Sequence, residues 1–264
     1  MLTQNILNLY IFGSVIVVSL LSIIMALPLL IKKSISKTTL LFLLSFSVGI
    51  LLSTIFMGLL PEAIGNLEKY GETNFILLGL YILIGFLLMF IIENFVHSQH
   101  KHQNKSDMHQ HAYHLAPINL IGDGIHNFID GLVIAVTYAV DLTLGIIATI
   151  SIIFHEIPQE IADFGVLLYS GMSKKKALIF NLLSAIAAIF GALIGILLLG
   201  KLDGFITFII PFAIGNFLYI AASNLVPQLH NESDMKQTFI HIIVILLGIV
   251  FITLVSIYGP VHLH

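Results

Sequence analysis

The sequence predicts an all-α membrane protein with eight transmembrane helices, and three observations carry that prediction. Of its 264 residues, 58% are hydrophobic and only 9% are charged, a composition far from that of soluble domains. Mean hydropathy is +1.04. Apolar runs of about 20 residues, each long enough to cross roughly 30 Å of hydrocarbon, recur along the whole chain, near 8–31, 39–60, 75–96, 116–137, 143–169, 176–199, 204–226 and 238–258. Residues 1–264 therefore read as one transmembrane domain embedded in a lipid bilayer.

Taken in order, 8–31 is too long for a signal-peptide core and no A-x-A-like site follows it, so it reads as a retained span. Span 39–60 carries Ser45, Ser47, Ser53 and Thr54 and ends in LLPEA, where Glu62 sits at a helix mouth. Span 75–96 is followed by the long polar stretch 97–114, HSQHKHQNKSDMHQHAYH, with His97, His100, His102, His109, His111 and His114. It has no apolar periodicity and reads as a loop that binds or senses metal. Spans 116–137 and 143–169 each hold polar residues at mid-membrane. Small residues interrupt the next two, as in FGALIG and PFAIGNF, which suits close helix packing and permits a homodimer. Asn216, Tyr219, Ser223 and Asn224 give span 204–226 a polar face.

No arginine occurs, so the eleven lysines set orientation. Nine fall in odd-numbered loops, and only Lys69 and Lys201 lie on the other side. The positive-inside rule then places the odd loops, including 97–114, in the cytoplasm and both termini outside. A bacterial plasma membrane fits this compact, lysine-only, isoleucine-rich chain. Cysteine is absent; any metal must be held by nitrogen and oxygen.

The chemistry concentrates in HNFIDGLVIA (126–135) and HEIPQEIADF (155–164). A charge at bilayer depth costs about 2.5–3.5 kcal/mol on insertion scales, so Asp130 and Glu156 need a task. Helical i, i+4 spacing stacks His126 with Asp130 and His155 with Gln159, while Asn127 and Glu156 sit about 100° round. A short turn around Val140 to Thr143 makes the two helices antiparallel neighbours. The motif midpoints lie about 14 residues, or 21 Å, from Leu142 along their helices, so they reach one depth. Asp123, Glu160 and Asp163 extend the polar path toward the cytoplasmic end. Pro158 lacks the amide hydrogen that would bond the Phe154 carbonyl and favours a kink beside the motif. The constellation reads as a metal site of His126, Asn127, Asp130, His155, Glu156 and Gln159.

At these two motifs the chain resembles the ZIP family of zinc and iron transporters, in the branch whose fifth helix carries HEIPHE. LLPEA and FLYIAASNLVPQL at the ends of spans two and seven extend the likeness over nearly the whole chain. The resemblance implies a 3+2+3 arrangement, with helices one to three and six to eight forming an inverted repeat around helices four and five. It also implies uptake of a divalent ion into the cytoplasm by alternating access, a bundle moving against a scaffold. By position His126, Asp130, His155 and Gln159 form a first metal site, and Asn127 and Glu156 line a second site or the exit. Two departures stand out: Gln159 replaces the family's histidine, which shifts metal preference, and Asn181, Ser184 and Ala188 occupy the region where some relatives carry a glutamate on helix six.

Zinc is the expected cargo, with Fe2+, Mn2+, Co2+ and Cd2+ compatible with the same ligand types. No catalytic cofactor, no enzymatic activity and no nucleic-acid partner are expected. Two rival classes share the motifs. An intramembrane zinc metalloprotease would use an H-E-x-x-H site, but Gln159 stands in place of the second histidine and Pro158 lies inside the motif. A membrane metal receptor would bind without translocating.

Overall fold

A computed structural model describes residues 4–31, 37–69, 74–101, 115–169, 172–199, 204–230 and 235–258. Eight helices in it are long and apolar enough to cross a membrane. They are α1 (Gln4–Ile31), α2 (Lys37–Ser53, continuing through Thr54–Leu59 into Leu60–Lys69), α3 (Phe75–Lys101) and α4 (Leu115–Val140). After these come α5 (Leu142–Tyr169), α6 (Lys174–Ala185 and Ala187–Leu198), α7 (Phe205–Tyr219, continuing through Ile220–Leu225 into Val226–His230) and α8 (Met235–Tyr258). No strand occurs among the described residues. Helix α3 continues to Lys101, past the point where the polar loop was expected to begin, and 102–114 of the histidine-rich stretch lie outside the described residues.

Burial sorts the helices into layers. In α4 and α5, 72% and 61% of the spanning windows are buried, against 17% in α3 and 22% in α8. The central pair thus carries the motifs away from lipid, while α3 and α8 present Leu83, Leu87, Ile243 and Leu247 outward. A backbone polar group in hydrocarbon must be satisfied internally, and a helix does this within its own segment.

Packing divides the helices into two groups, α1, α4, α5, α6 and α2, α3, α7, α8. Reciprocal glycines bring partner backbones into contact. Gly131 meets the Ala188 carbonyl and Gly191 that of Phe128, joining α4 to α6. Gly85 and Gly215 do the same between α3 and α7, and Gly49 and Gly248 between α2 and α8. A Cβ at any of these six positions would overlap facing backbone. Gly191 and Gly195 of FGALIG face Phe128 and Ala135 of α4, so that small-residue face is occupied within the chain and not available to a second copy.

Two six-residue π-helical turns, Thr54–Leu59 and Ile220–Leu225, widen α2 and α7. Each ends two residues before a proline, Pro61 and Pro227. Proline offers no hydrogen to the carbonyl four residues back and its ring crowds that carbonyl, and the wider turn relieves both.

Candidate metal centre

One residue, Asp141, separates α4 from α5. Its carboxylate accepts from the Leu144 amide at 2.8 Å, capping α5 and fixing the reversal. The antiparallel pair then brings the two motifs together, as equal spacing from the turn predicts.

Four buried side chains converge: His126, Asp130, His155 and Glu156 each point one ligand atom into a common point, all within 4.8 Å of one another. His126 Nε2 lies 3.2 Å from His155 Nε2, 3.2 Å from Glu156 Oε1 and 3.6 Å from Asp130 Oδ2. His155 Nε2 lies 3.1 Å from Asp130 Oδ2 and 3.8 Å from Glu156 Oε1. Bonds of 2.0–2.1 Å to nitrogen and oxygen set the corners of a tetrahedron roughly 3.3 Å apart. Five of the six edges therefore bracket tetrahedral spacing.

The surroundings hold this geometry. His155 Nδ1 lies 2.9 Å from the Ser151 carbonyl, which only accepts, so Nδ1 carries the proton and Nε2 keeps its lone pair toward the centre. The Phe217 ring of α7 packs edge-on against His155, with centroids 5.6 Å apart. Behind it, Ser151 donates to Thr54 of α2 at 2.8 Å. Asp130 Oδ1, Glu156 Oε2 and His126 Nδ1 are buried without hydrogen-bond partners. Two carboxylates and two imidazoles make a centre whose charge a divalent cation would cancel, removing the penalty of buried unpaired anions.

Of the other expected ligands, Asn127 is directed elsewhere. Asn127 is buried and turns its amide to Asp123, bonding the carboxylate at 2.8 Å and the backbone carbonyl at 3.2 Å. Gln159 is half-buried. Glu156, which the family pattern puts in an adjacent position, has its carboxylate in the four-residue cluster itself. The carbonyl freed by Pro158 is taken by α2: Ser47 donates to the Phe154 oxygen at 2.5 Å. Ser45 instead bonds His241 of α8 at 2.9 Å, and Ser53 contacts Met57, so the serines of α2 serve two different neighbours. Sequence reading assigned no role to Phe217 or to the Ser151 carbonyl; an apolar ring and a main-chain oxygen carry no motif.

A family model described as ZIP zinc transporter matches residues 6–116 and 97–256. The zinc transporter zipt-7.2 of Caenorhabditis elegans is 38% identical over 148 residues, 54% of this chain and 32% of its own length. Zinc transporter ZIP13 of Pongo abelii is 31% identical over 226 residues, 82% of this chain and 66% of its own. Zinc transporter ZIP10 of Mus musculus is 41% identical over 119 residues, 45% and 14% respectively. The chain covers less than two-thirds of each of these relatives.

Proposed function

The chain belongs to the ZIP zinc transporter family, and on that premise we propose that it moves a divalent cation, zinc foremost, across the membrane into the cytoplasm through a site on α4 and α5. The observation that carries this reading is the near-tetrahedral cluster of two imidazole nitrogens and two carboxylate oxygens, five of whose six separations are 3.1–3.8 Å. His126, Asp130, His155 and Glu156 hold the ion, with Asn127 and Gln159 lining the adjoining path. Zinc suits this mixed set, and Fe2+, Mn2+, Co2+ or Cd2+ share its ligand preferences to differing degrees.

Alternating access is the mechanism this reading entails, with α1, α4, α5 and α6 moving against α2, α3, α7 and α8. Support comes from the glycines that meet facing backbone, which couple α4 to α6, α3 to α7 and α2 to α8 within groups, whereas across the groups Gly58 of α2 meets only side chains of α5. A 3+2+3 inverted repeat agrees with the same pairing. Exchanging helices one to three with six to eight, and four with five, maps α2–α8 onto α7–α3 and α4–α6 onto α5–α1, all of which are packed pairs. It also maps one proline-linked π-turn onto the other. Hydrolysis fits less well, because Glu156, the base of a protease motif, points into the ligand cluster.

Zinc flux into proteoliposomes tests the proposal. Uptake should exceed that of protein-free vesicles and should fall at least about tenfold in the His126→Ala, His155→Ala double variant. Equal uptake in empty vesicles, or unchanged flux in that variant, sinks it.

A further inference from the structure

We infer a second cation site, built only of oxygen ligands, formed by Asp123, Glu160 and Asn181 between the four-residue cluster and the lysine-bearing ends of α4, α5 and α6. The inference rests on the transport reading only for its role, since the site itself follows from three buried acceptors with nothing to accept from. Asp123 lies three residues before His126 on α4, and Glu160 four residues beyond Glu156 on antiparallel α5. At 1.5 Å per residue they lie about 4.5 Å and about 6 Å along their helices from the nearest residue of the cluster, toward the same end. Asn181 enters from α6, seven residues from Lys174.

All three side chains are at most 5% exposed. Asp123 Oδ1 accepts from Asn127 at 2.8 Å, leaving Oδ2 without a hydrogen-bond partner. Glu160 Oε2 accepts from the Asn181 amide, leaving Glu160 Oε1 and Asn181 Oδ1 without one. The Asn181 amide nitrogen thus anchors its side chain to Glu160 while its oxygen is left without a partner. Asp123, Glu156 and Asp163 are all close enough to act electrostatically on Glu160. Ser184, beside the Asp123 carboxylate, already donates to the Asn181 backbone carbonyl at 2.9 Å. On α6, Lys174, Lys175 and Lys176 are exposed at the helix start and bring no charge to this depth.

Three buried oxygens left without a donor, two of them on carboxyl groups, offer ligands to a cation. Carboxylate and carbonyl oxygen without imidazole suit harder divalent ions and hold zinc less tightly than the mixed cluster does. A weaker station downstream of a stronger one lets an ion leave, the condition for passage through successive sites. The histidine-containing cluster selects the ion and the oxygen site releases it.

Manganese alone, counted by electron paramagnetic resonance on the purified full-length chain in detergent, tests the assignment. In His126→Ala, His155→Ala protein, or in unaltered protein whose cluster is first filled with one equivalent of zinc, one manganese should still bind. Adding Glu160→Gln and Asp123→Asn should weaken it at least tenfold. Manganese held by the histidine-rich stretch is common to every arm and subtracts out. Zinc binding at the cluster should survive Glu160→Gln, which also reports that this variant is folded. The inference is overturned if manganese binding ignores both carboxylate substitutions, or if Glu160→Gln abolishes high-affinity zinc binding as fully as His126→Ala does. Absence of zinc flux in the unaltered protein would instead strike the transport reading and leave the manganese count standing.

Discussion

Asp130 and Glu156 supply the negative charge of the centre, and the two imidazoles supply direction. Converting Asp130 to asparagine keeps the shape and removes one charge, leaving a neutral carbonyl oxygen as the ligand. Zinc affinity of the purified Asp130→Asn protein, measured by calorimetry, should fall at least about tenfold, with an unchanged gel-filtration profile. Undiminished affinity would mean that Asp130 is no ligand. Ser47 acts by a different route. Its hydroxyl fills the carbonyl at Phe154 that Pro158 leaves open. Ser47→Ala should cost about 1–3 kcal/mol of thermal stability as that oxygen loses its partner. In a Pro158→Ala background the restored amide takes over, and the same substitution should cost distinctly less. Equal cost in both backgrounds would break the link between the proline and the serine.

At the scale of elements, glycine decides how closely helices approach. Gly191 touches the Phe128 carbonyl, whereas Gly13 on α1 has nothing within 4 Å of where a Cβ would stand. Gly191→Val should therefore lower the melting temperature by about 2–12 °C, the consequence of overpacking by about 1–3 kcal/mol. Gly13→Val should leave it unchanged, and similar shifts at both positions would contradict the packing argument. The eight spans themselves were legible in the sequence because hydrocarbon demands a run of apolar residues whatever the neighbours are. The π-turns were not, since LLPEA and NLVPQL look like any helix-ending prolines. Whether a helix stops, bends or widens at proline depends on what packs around it.

For the molecule as a whole, the absence of cysteine allows a clean test of relative motion between helix groups. Thr54 of α2 and Ser151 of α5 touch across the two groups, with hydroxyls 2.8 Å apart. Met57 and Thr253 touch within one group, 3.0 Å apart. Oxidative cross-linking of a Thr54→Cys, Ser151→Cys protein should abolish zinc flux reversibly with reductant. The Met57→Cys, Thr253→Cys pair should leave flux intact when cross-linked. Full flux through the first cross-link would show that these groups do not move apart during transport.

The sequence alone determined eight spans, an antiparallel central pair and two motifs at matched depth, because each follows from hydrophobic length or from helical period. It also marked Pro158 as the residue that frees a carbonyl. Only tertiary structure decided where that carbonyl goes, that Glu156 joins His126, Asp130 and His155 at one point, and that Asn127 turns away to Asp123. Helical spacing fixes a residue's direction to within a face about a turn wide. Whether two neighbours such as His155 and Glu156 reach the same point depends on rotamers, and those are set by what other helices leave unfilled. FGALIG shows the same limit: its spacing marked a packing face, and the fold chose α4 as the partner.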